Sequence, residues 1–197
     1  MSGISEKELR SLYLAEGRSV SDIARKFRCS ESRINYWLKK FGIPKRSISD
    51  AVYQKHNPNG DPFCFSQPNT LERAFLYGLG MGLYWGEGTK ASKTAVRLGN
   101  SDPRLVKAFI SFLEQIYGIR REKLRFGLII FSDMDEERVR TYWQKTLGFS
   151  AKHFMKTTIK PERSGGTYTR KTEYGVLTVY FNNSKLQKDI CDTIKGL

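Results

Sequence analysis

Histidine and cysteine are scarce in this chain: His56 and His153, and Cys29, Cys64 and Cys191, are all that 197 residues contain. So few and so dispersed, they supply neither a disulfide framework nor the paired spacing of a zinc site, and the chain reads as a reduced protein. Long apolar runs are missing as well. The longest uncharged, mostly apolar stretch runs from Ala74 to Gly86, 13 residues between Arg73 and Glu87, which is too short to span a bilayer. The first ten residues carry Glu6, Lys7, Glu8 and Arg10 with no apolar block, so no secretory signal is expected. The expected location is the cytoplasm, at the nucleoid in a bacterium or archaeon.

Acid is the other shortage. Against 34 Lys and Arg stand 20 Asp and Glu, a net charge of +14. Nucleic acid is the commonest partner of such a surface, because every basic contact releases condensed counterions from the phosphate backbone. A membrane surface would call for a basic amphipathic helix or a lipidation signal. Neither is visible, so no membrane partner is expected. With 39% hydrophobic and 13% aromatic residues the chain can bury a real core.

Half of the six prolines fall in one stretch, His56 to Thr70, which reads HNPNGDPFCFSQPNT. Pro58, Pro62, Pro68 and Gly60 punctuate helix and strand alike, placing a linker over 56–70 between a domain at 1–55 and another at 71–197. Residues 1–70 hold 12 basic and 7 acidic side chains and residues 71–197 hold 22 and 13, so both halves are suited to the same polyanion.

The first half reads as all-helical. Ser5 and Glu8 have capping-box spacing, Leu9, Leu12 and Tyr13 give an apolar face, and Gly17 is a stop. A second helix is expected over about Val20 to Phe27, and a third over about Glu31 to Phe41 with Ser30 as its cap. Ile23, Ala24 and Phe27, then Ile34, Trp37, Leu38 and Phe41, face inward. This spacing resembles a helix-turn-helix over about residues 5–48, with one departure: the turn position that usually carries Gly holds Arg28, and residues other than Gly enter the left-handed region at modest cost. The resemblance implies an outward face of Ser32, Arg33, Asn35, Tyr36, Lys39 and Lys40. Arg and Asn suit bidentate contacts to G and A, and lysine suits phosphate. Lys45 and Arg46, within Pro44-Lys-Arg-Ser47, read as a short basic arm along the backbone or in a minor groove.

The second half opens on LERAFLYGLGMGLYWGEG, residues 71–88. Thr70 and the apolar residues suggest a helix, yet each interior Gly costs about 0.8–1 kcal/mol against Ala. Gly78, Gly82 and Gly86 recur every fourth residue, on one stripe. Such a stripe lets a second backbone approach closely, so these three are the expected dimer seam. Glu87 ends the stripe, at the negative pole of the helix, where a carboxylate needs a compensating cation.

The segment Gly80-Met-Gly-Leu-Tyr-Trp-Gly-Glu-Gly88 resembles the LAGLIDADG motif of homing endonucleases in its Glu-Gly ending form. The order of elements downstream of it is similar too: a helix from Asn100-Ser-Asp-Pro103 to about Gly118, a strand over 124–131, a helix over 136–147, a strand pair within 151–160 and 173–182, and a last helix from Asn183-Ser184. The expected fold class is therefore α+β: a helical helix-turn-helix domain, then a LAGLIDADG-like domain with a curved antiparallel sheet. In that family two motif helices pack at the centre of a saddle of strands on DNA, and their terminal carboxylates bind Mg²⁺ and hydrolyse both strands. A single motif implies a homodimer on a roughly palindromic duplex site, with Glu87 as ligand of Mg²⁺ (or Mn²⁺) and the Gly86 carbonyl assisting. For supporting basic and amide side chains, Arg97, Asn100 and Arg125 are candidates by position.

Only 13 residues separate Gly88 from Asp102, too few for the long DNA-reading hairpin that comes after the motif in that family. A compensating hairpin over 151–182 would carry Lys152, Lys156, Lys160, Arg163, Arg170 and Lys171, with Arg163-Ser-Gly-Gly-Thr-Tyr as its tip. Three functions stay open: a site-specific Mg²⁺-dependent DNA endonuclease, a transcription regulator that keeps the fold without catalysis, and an RNA-binding or splicing cofactor. Retention of an acid at position 87 favours the first, the short hairpin the second. Asp133, Asp135, Glu136 and Glu137 read as a helix start and not a metal site. His153 reads as a surface or groove residue, and Trp143 with Tyr142 as core.

Overall fold

Serine caps lay out the first part of the chain. The Ser5 Oγ accepts the Glu8 N–H at 3.2 Å and starts helix α1, Glu6–Arg10. The chain continues through a wider turn, Ser11–Ala15, and is turned out of the helix at Gly17 (φ 69°). Ser19 caps α2, Val20–Lys26, and Ser30 caps α3, Glu31–Lys40. Leu9, Leu12, Tyr13, Ile23, Ala24, Ile34, Leu38 and Ile43 close the core between them, with Phe27, Trp37 and Phe41 half-buried at its rim. A further helix, α4 at Ile48–His56 with Ser47 as cap, follows the expected arm at 44–47, where the sequence suggested no element. This computed structural model describes residues 4–161 and 172–196. It falls into two compact units, residues 1–62 and 63–197.

The second unit begins within the expected linker. The N–H groups of Cys64 and Ser66 donate to the carbonyls of Tyr117 and Ile116 at 2.9 and 2.8 Å, so this strip is fastened to the unit and not free. Helix α5, Leu71–Glu87, starts at Thr70, whose Oγ1 accepts the Arg73 N–H. Strand β1 is Val96–Asn100. Helix α6, Pro103–Tyr117, has Asp102 as cap and left-handed Gly118 (φ 60°) as stop. After strand β2, Arg125–Phe131, come α7, Glu136–Leu147, β3, Thr158–Lys160, β4, Val176–Phe181, and α8, Ser184–Lys195.

The sheet order is β1-β4-β2-β3. β4 runs antiparallel to both neighbours, whereas β3 runs parallel to β2. The sheet is thus mixed, which corrects the expectation of an antiparallel one. The physical reason is α7: it carries the chain back along β2, and a return by crossover makes the next strand parallel. The expected strand pair over 151–160 and 173–182 does not form a ladder with itself; its two strands flank β2.

Burial alternates along β2, β4 and the start of β1, while all three residues of β3 are exposed. Val96 and Leu98, Phe126, Leu128 and Ile130, and Leu177, Val179 and Phe181 are buried with Val106, Phe109, Phe112, Ile116, Trp143, Leu186 and Ile190 in one core. Their alternates on β1, β2 and β4 are all at least partly exposed, so the helices cover one face of the sheet and leave the other open. No helix among the described residues is long and apolar enough to cross a membrane.

Candidate nucleic-acid interface

The turn between α2 and α3 is built as the sequence demanded. The Arg28 and Cys29 N–H groups return to the carbonyls of Arg25 and Ala24 at 3.2 and 2.9 Å, and this closure puts Arg28 at φ 48°. Arg28 is the one described non-glycine residue with positive φ, a conformation that costs roughly 1–2 kcal/mol. Beyond the turn, α3 buries Ile34 and Leu38 and leaves Ser32, Tyr36, Lys39 and Lys40 exposed. Arg33 and Asn35 are half-buried on its flanks. The Lys40 ammonium sits 4.6 Å from the Trp37 ring centroid, and Trp37 stacks on Phe41 at 5.3 Å, which stiffens the end of the helix that carries the lysines.

Arg46 does not lie along an arm. Its guanidinium covers the Tyr13 ring at 4.1 Å and donates to the carbonyls of Gly17 (2.9 Å), Arg18 (3.0 Å) and Tyr13 and to Gln54 Oε1. Its own N–H donates to Tyr13 Oη at 3.0 Å. These carbonyls end the first helical stretch, so Arg46 neutralises their negative pole and ties α4 to it. Lys45, one residue earlier, is exposed. One residue beyond the Arg18 carbonyl that Arg46 holds, Ser19 Oγ donates to Asp22 Oδ2 at 2.6 Å, and this bond holds the Asp22 carboxyl below its ordinary range. Arg25 completes the pair at 3.3 Å.

In the second unit α5 presents two unlike faces. Gly80 meets the core, and a Cβ there would lie 2.1 Å from Cγ of Phe112. Gly78, Gly82 and Gly86 point away, and a Cβ on any of them would meet nothing within 4 Å among the described residues. The same outer stripe carries Leu71, Phe75, Leu79 and Trp85, which are 86%, 72%, 36% and 55% exposed. Glu87 is exposed at its end. The compensating cation is Lys90, whose Nζ donates to the Trp85 carbonyl; the Lys90 carbonyl is in turn held by Gln187 Nε2 at 3.4 Å. The hairpin after the motif is reduced to a bridge between Gly88 and Leu98 and a bond from the Thr89 N–H to the Arg97 carbonyl at 2.9 Å.

Of the three supporting candidates, the structure brings two together. Arg97 and Arg125 both stand opposite Tyr180, on β1 and β2 either side of β4, and so share the open face of the sheet. The Arg97 guanidinium lies 5.3 Å from the Tyr180 ring, and Arg125 Nη1 donates to the carbonyls of Glu122 and Leu124 at 2.7 and 2.8 Å. Asn100 has the opposite parity and is spent on a turn, its Oδ1 accepting the Asp102 N–H at 2.8 Å. Tyr180 was not anticipated, although the alternation in Val-Leu-Thr-Val-Tyr-Phe marks it as a residue of the uncovered face.

Lys152, Lys156 and Lys160 are exposed, Lys160 on β3. Arg163, Arg170 and Lys171 lie outside the described residues. His153 departs from its reading: it is buried, with Nδ1 3.0 Å from the Leu124 carbonyl and its ring 5.0 Å from that of Phe149. Asp135 caps α7 by accepting the Arg138 N–H at 3.0 Å, and Trp143 is fully buried. No group of three or more His, Cys, Asp or Glu side chains that could hold a metal ion occurs among the described residues.

Comparison with known proteins bears on the first unit. No curated protein and no solved structure matches the chain. Residues 11–46 match a family profile described as a helix-turn-helix domain. The chain therefore carries a helix-turn-helix at the place where α2, the Arg28 turn and α3 stand, while the LAGLIDADG reading of residues 71–197 rests on the resemblance alone.

Proposed function

We propose that the protein binds a specific double-stranded DNA site through α3 and, as a homodimer joined along the outer face of α5, hydrolyses that site with Mg²⁺ or Mn²⁺ at Glu87. The observation that carries DNA binding is the helix-turn-helix at residues 11–46 with Ser32, Tyr36, Lys39 and Lys40 on the free side of its second helix. Ser32 and Tyr36 read base edges, and the lysines take phosphates. Arg97 and Arg125, on the uncovered face of the sheet, offer two further cations to the same polyanion.

The dimer is supported by what is left bare. Seven residues of one helical stripe, four large and apolar and three glycines, are left open among the described residues, and glycines at every fourth position admit a second helix at short range. A two-fold axis along that seam sets one Glu87 beside its copy, and Lys90 on the helix pole lowers the cost of the charge. One carboxylate and the Gly86 carbonyl are a thin donor set for most cations. They suit Mg²⁺, which is held by one or two carboxylates with water and substrate phosphate oxygens completing its shell. When bound, the ion activates water and stabilises charge on the phosphate. The chain's own part is to aim Glu87 and to hold the strands of the duplex with the arginines.

A second reading, a regulator that binds DNA without cutting it, is favoured by the single-bridge hairpin after α5. One assay separates them: a randomised duplex library incubated with Mg²⁺ and with Mn²⁺, wild type beside Glu87→Gln. Metal-dependent double-strand cuts lost in Glu87→Gln are expected. Sequence-selective retention without cuts, unchanged by the substitution, leaves the regulator. For the seam, Gly82→Leu is expected to give a folded monomer in sedimentation, and a dimeric Gly82→Leu protein overturns it.

A further inference from the structure

The turn of the helix-turn-helix holds a residue that its backbone does not favour. Closure of the turn needs the left-handed conformation at position 28, where glycine has no penalty, and the chain has Arg28 at φ 48° instead. Strain of this kind persists where something outweighs it. The closed turn holds the backbone, but no contact of the side chain among the unit's described residues accounts for arginine in place of glycine. The Arg28 side chain is exposed and has no hydrogen-bond, ion-pair or ring partner among the described residues. Its neighbours differ: Arg25 is paired with Asp22 at 3.3 Å and Arg18 with Glu16 at 2.8 Å, and Lys26 lies 5.9 Å from the Phe27 ring.

The surroundings are cationic. Arg18, Arg25 and Lys26 line a surface cleft of about 360 Å³ with Asp22 as its one acid, and Arg28 comes two residues after Lys26 in a chain of net charge +14. The side chain projects from the junction between the helix that crosses the DNA backbone and the helix that enters the groove. Arginine's planar fork is the side chain best matched to a phosphate there. We infer that Arg28 is a phosphate clamp: its guanidinium binds a backbone phosphodiester of the duplex beside the groove that α3 enters, and the strained turn is kept for that contact. This rests on the helix-turn-helix reading and adds to it a contact that carries orientation and affinity but no sequence information.

The test uses the full chain and a labelled mixed-sequence duplex of about three helical turns, with binding measured between about 50 and 200 mM salt. Arg28→Gly and Arg28→Asn both accept positive φ and keep the turn; Arg28→Lys keeps the charge. The expected result is a rise in the unfolding midpoint for Arg28→Gly together with a loss of duplex affinity of about tenfold. The slope of log affinity against log salt should fall by about 1. Arg28→Asn should lose the same affinity, and Arg28→Lys should keep most of it. An Arg28→Gly protein that binds as wild type overturns the clamp. So does an affinity loss with an unchanged salt slope, which would assign the effect to the shape of the turn. If wild type itself fails to bind the duplex with a steep salt dependence, it is the helix-turn-helix reading that falls.

Discussion

Two faces of one helix treat the same amino acid in opposite ways. On the inner face of α5, Gly80 is where it is because Phe112 occupies the space a methyl group would need, 2.1 Å from the site of a Cβ. On the outer face, Gly78, Gly82 and Gly86 have open space before them among the described residues, yet each still carries the helix-propensity cost of glycine. The inner glycine is explained by the fold of the unit. Nothing among the described residues explains the outer three, and in a helix of 17 residues a penalty repeated at three exposed positions is what the proposed second copy would offset. The large side chains obey the same division: Tyr84 is fully buried inside while Trp85, the next residue, is 55% exposed.

That contrast can be broken by substitution on either side, in dilute protein where self-association does not contribute. Gly80→Ala should lose about 2–3 kcal/mol in urea unfolding of the second unit, since the gain in helix propensity is smaller than the overpacking against Phe112. A neutral result would mean that Phe112 moves freely and the inner face is no tighter than the outer.

Alkaline titration probes the same inner face. Burial pushes the Tyr84 hydroxyl from 10.0 up to about 12. A group whose folded value is raised contributes stability that is whole below its unfolded pKa and lost as pH climbs through the folded one. The second unit should therefore lose on the order of 2 kcal/mol between pH 10 and 12 through this residue. Tyr84→Phe should remove that part of the loss and leave neutral stability almost unchanged. Equal alkaline curves for the two proteins would show the phenol to be reached by solvent. Tyr117, also pushed up by burial, remains in both and drops out of the difference.

On the outer face the sign should reverse. Gly82→Ala should raise stability by about 0.8–1 kcal/mol, measured by the same urea midpoint, and a decrease would reveal a packing partner that the open space does not. The smallest effect is expected for Phe75→Ser, within about 0.5 kcal/mol, because a side chain 72% exposed has little burial to lose.

What could be read from residues alone tracked the reach of the physics involved. Caps act over three residues, so Ser5, Ser30, Thr70, Asp135 and Asn183 announced their helices, and the helix expected over 136–147 is α7, Glu136–Leu147. The strain at Arg28 was legible because a turn of that length has one place for a left-handed residue. Helix α4 was not, because Ile48 and Val52 remain 86% and 51% exposed and the helix is held by Arg46, a contact with residues some thirty positions away. Strand β1 was hidden by Gly99 and by the cap signal that overlaps its end. The neighbours of β2 could not be read from a local pattern, since β3 and β4 are joined by a segment with the look of a hairpin but pair with a strand that precedes both. For the interface, position in the chain suggested Arg97, Asn100 and Arg125 together, and only the register set Asn100 apart and placed Tyr180 between the two arginines.

The sheet order has a consequence for the way the chain comes off the ribosome. β4 is the strand that joins β1 to β2, and β1 and β2 are not neighbours without it; Val96 waits for Phe181 and Arg125 for Tyr180. Pairings of such separation are slow because the loop must be closed before any contact repays it. Until that last strand has been synthesised the buried faces of β1 and β2 have no lateral seam, and the apolar residues of α6 pack on an unfinished layer. From the synthesis of β2 until that of β4 the growing chain therefore exposes apolar strand faces that invite association, while the first unit, whose contacts are local, is already complete.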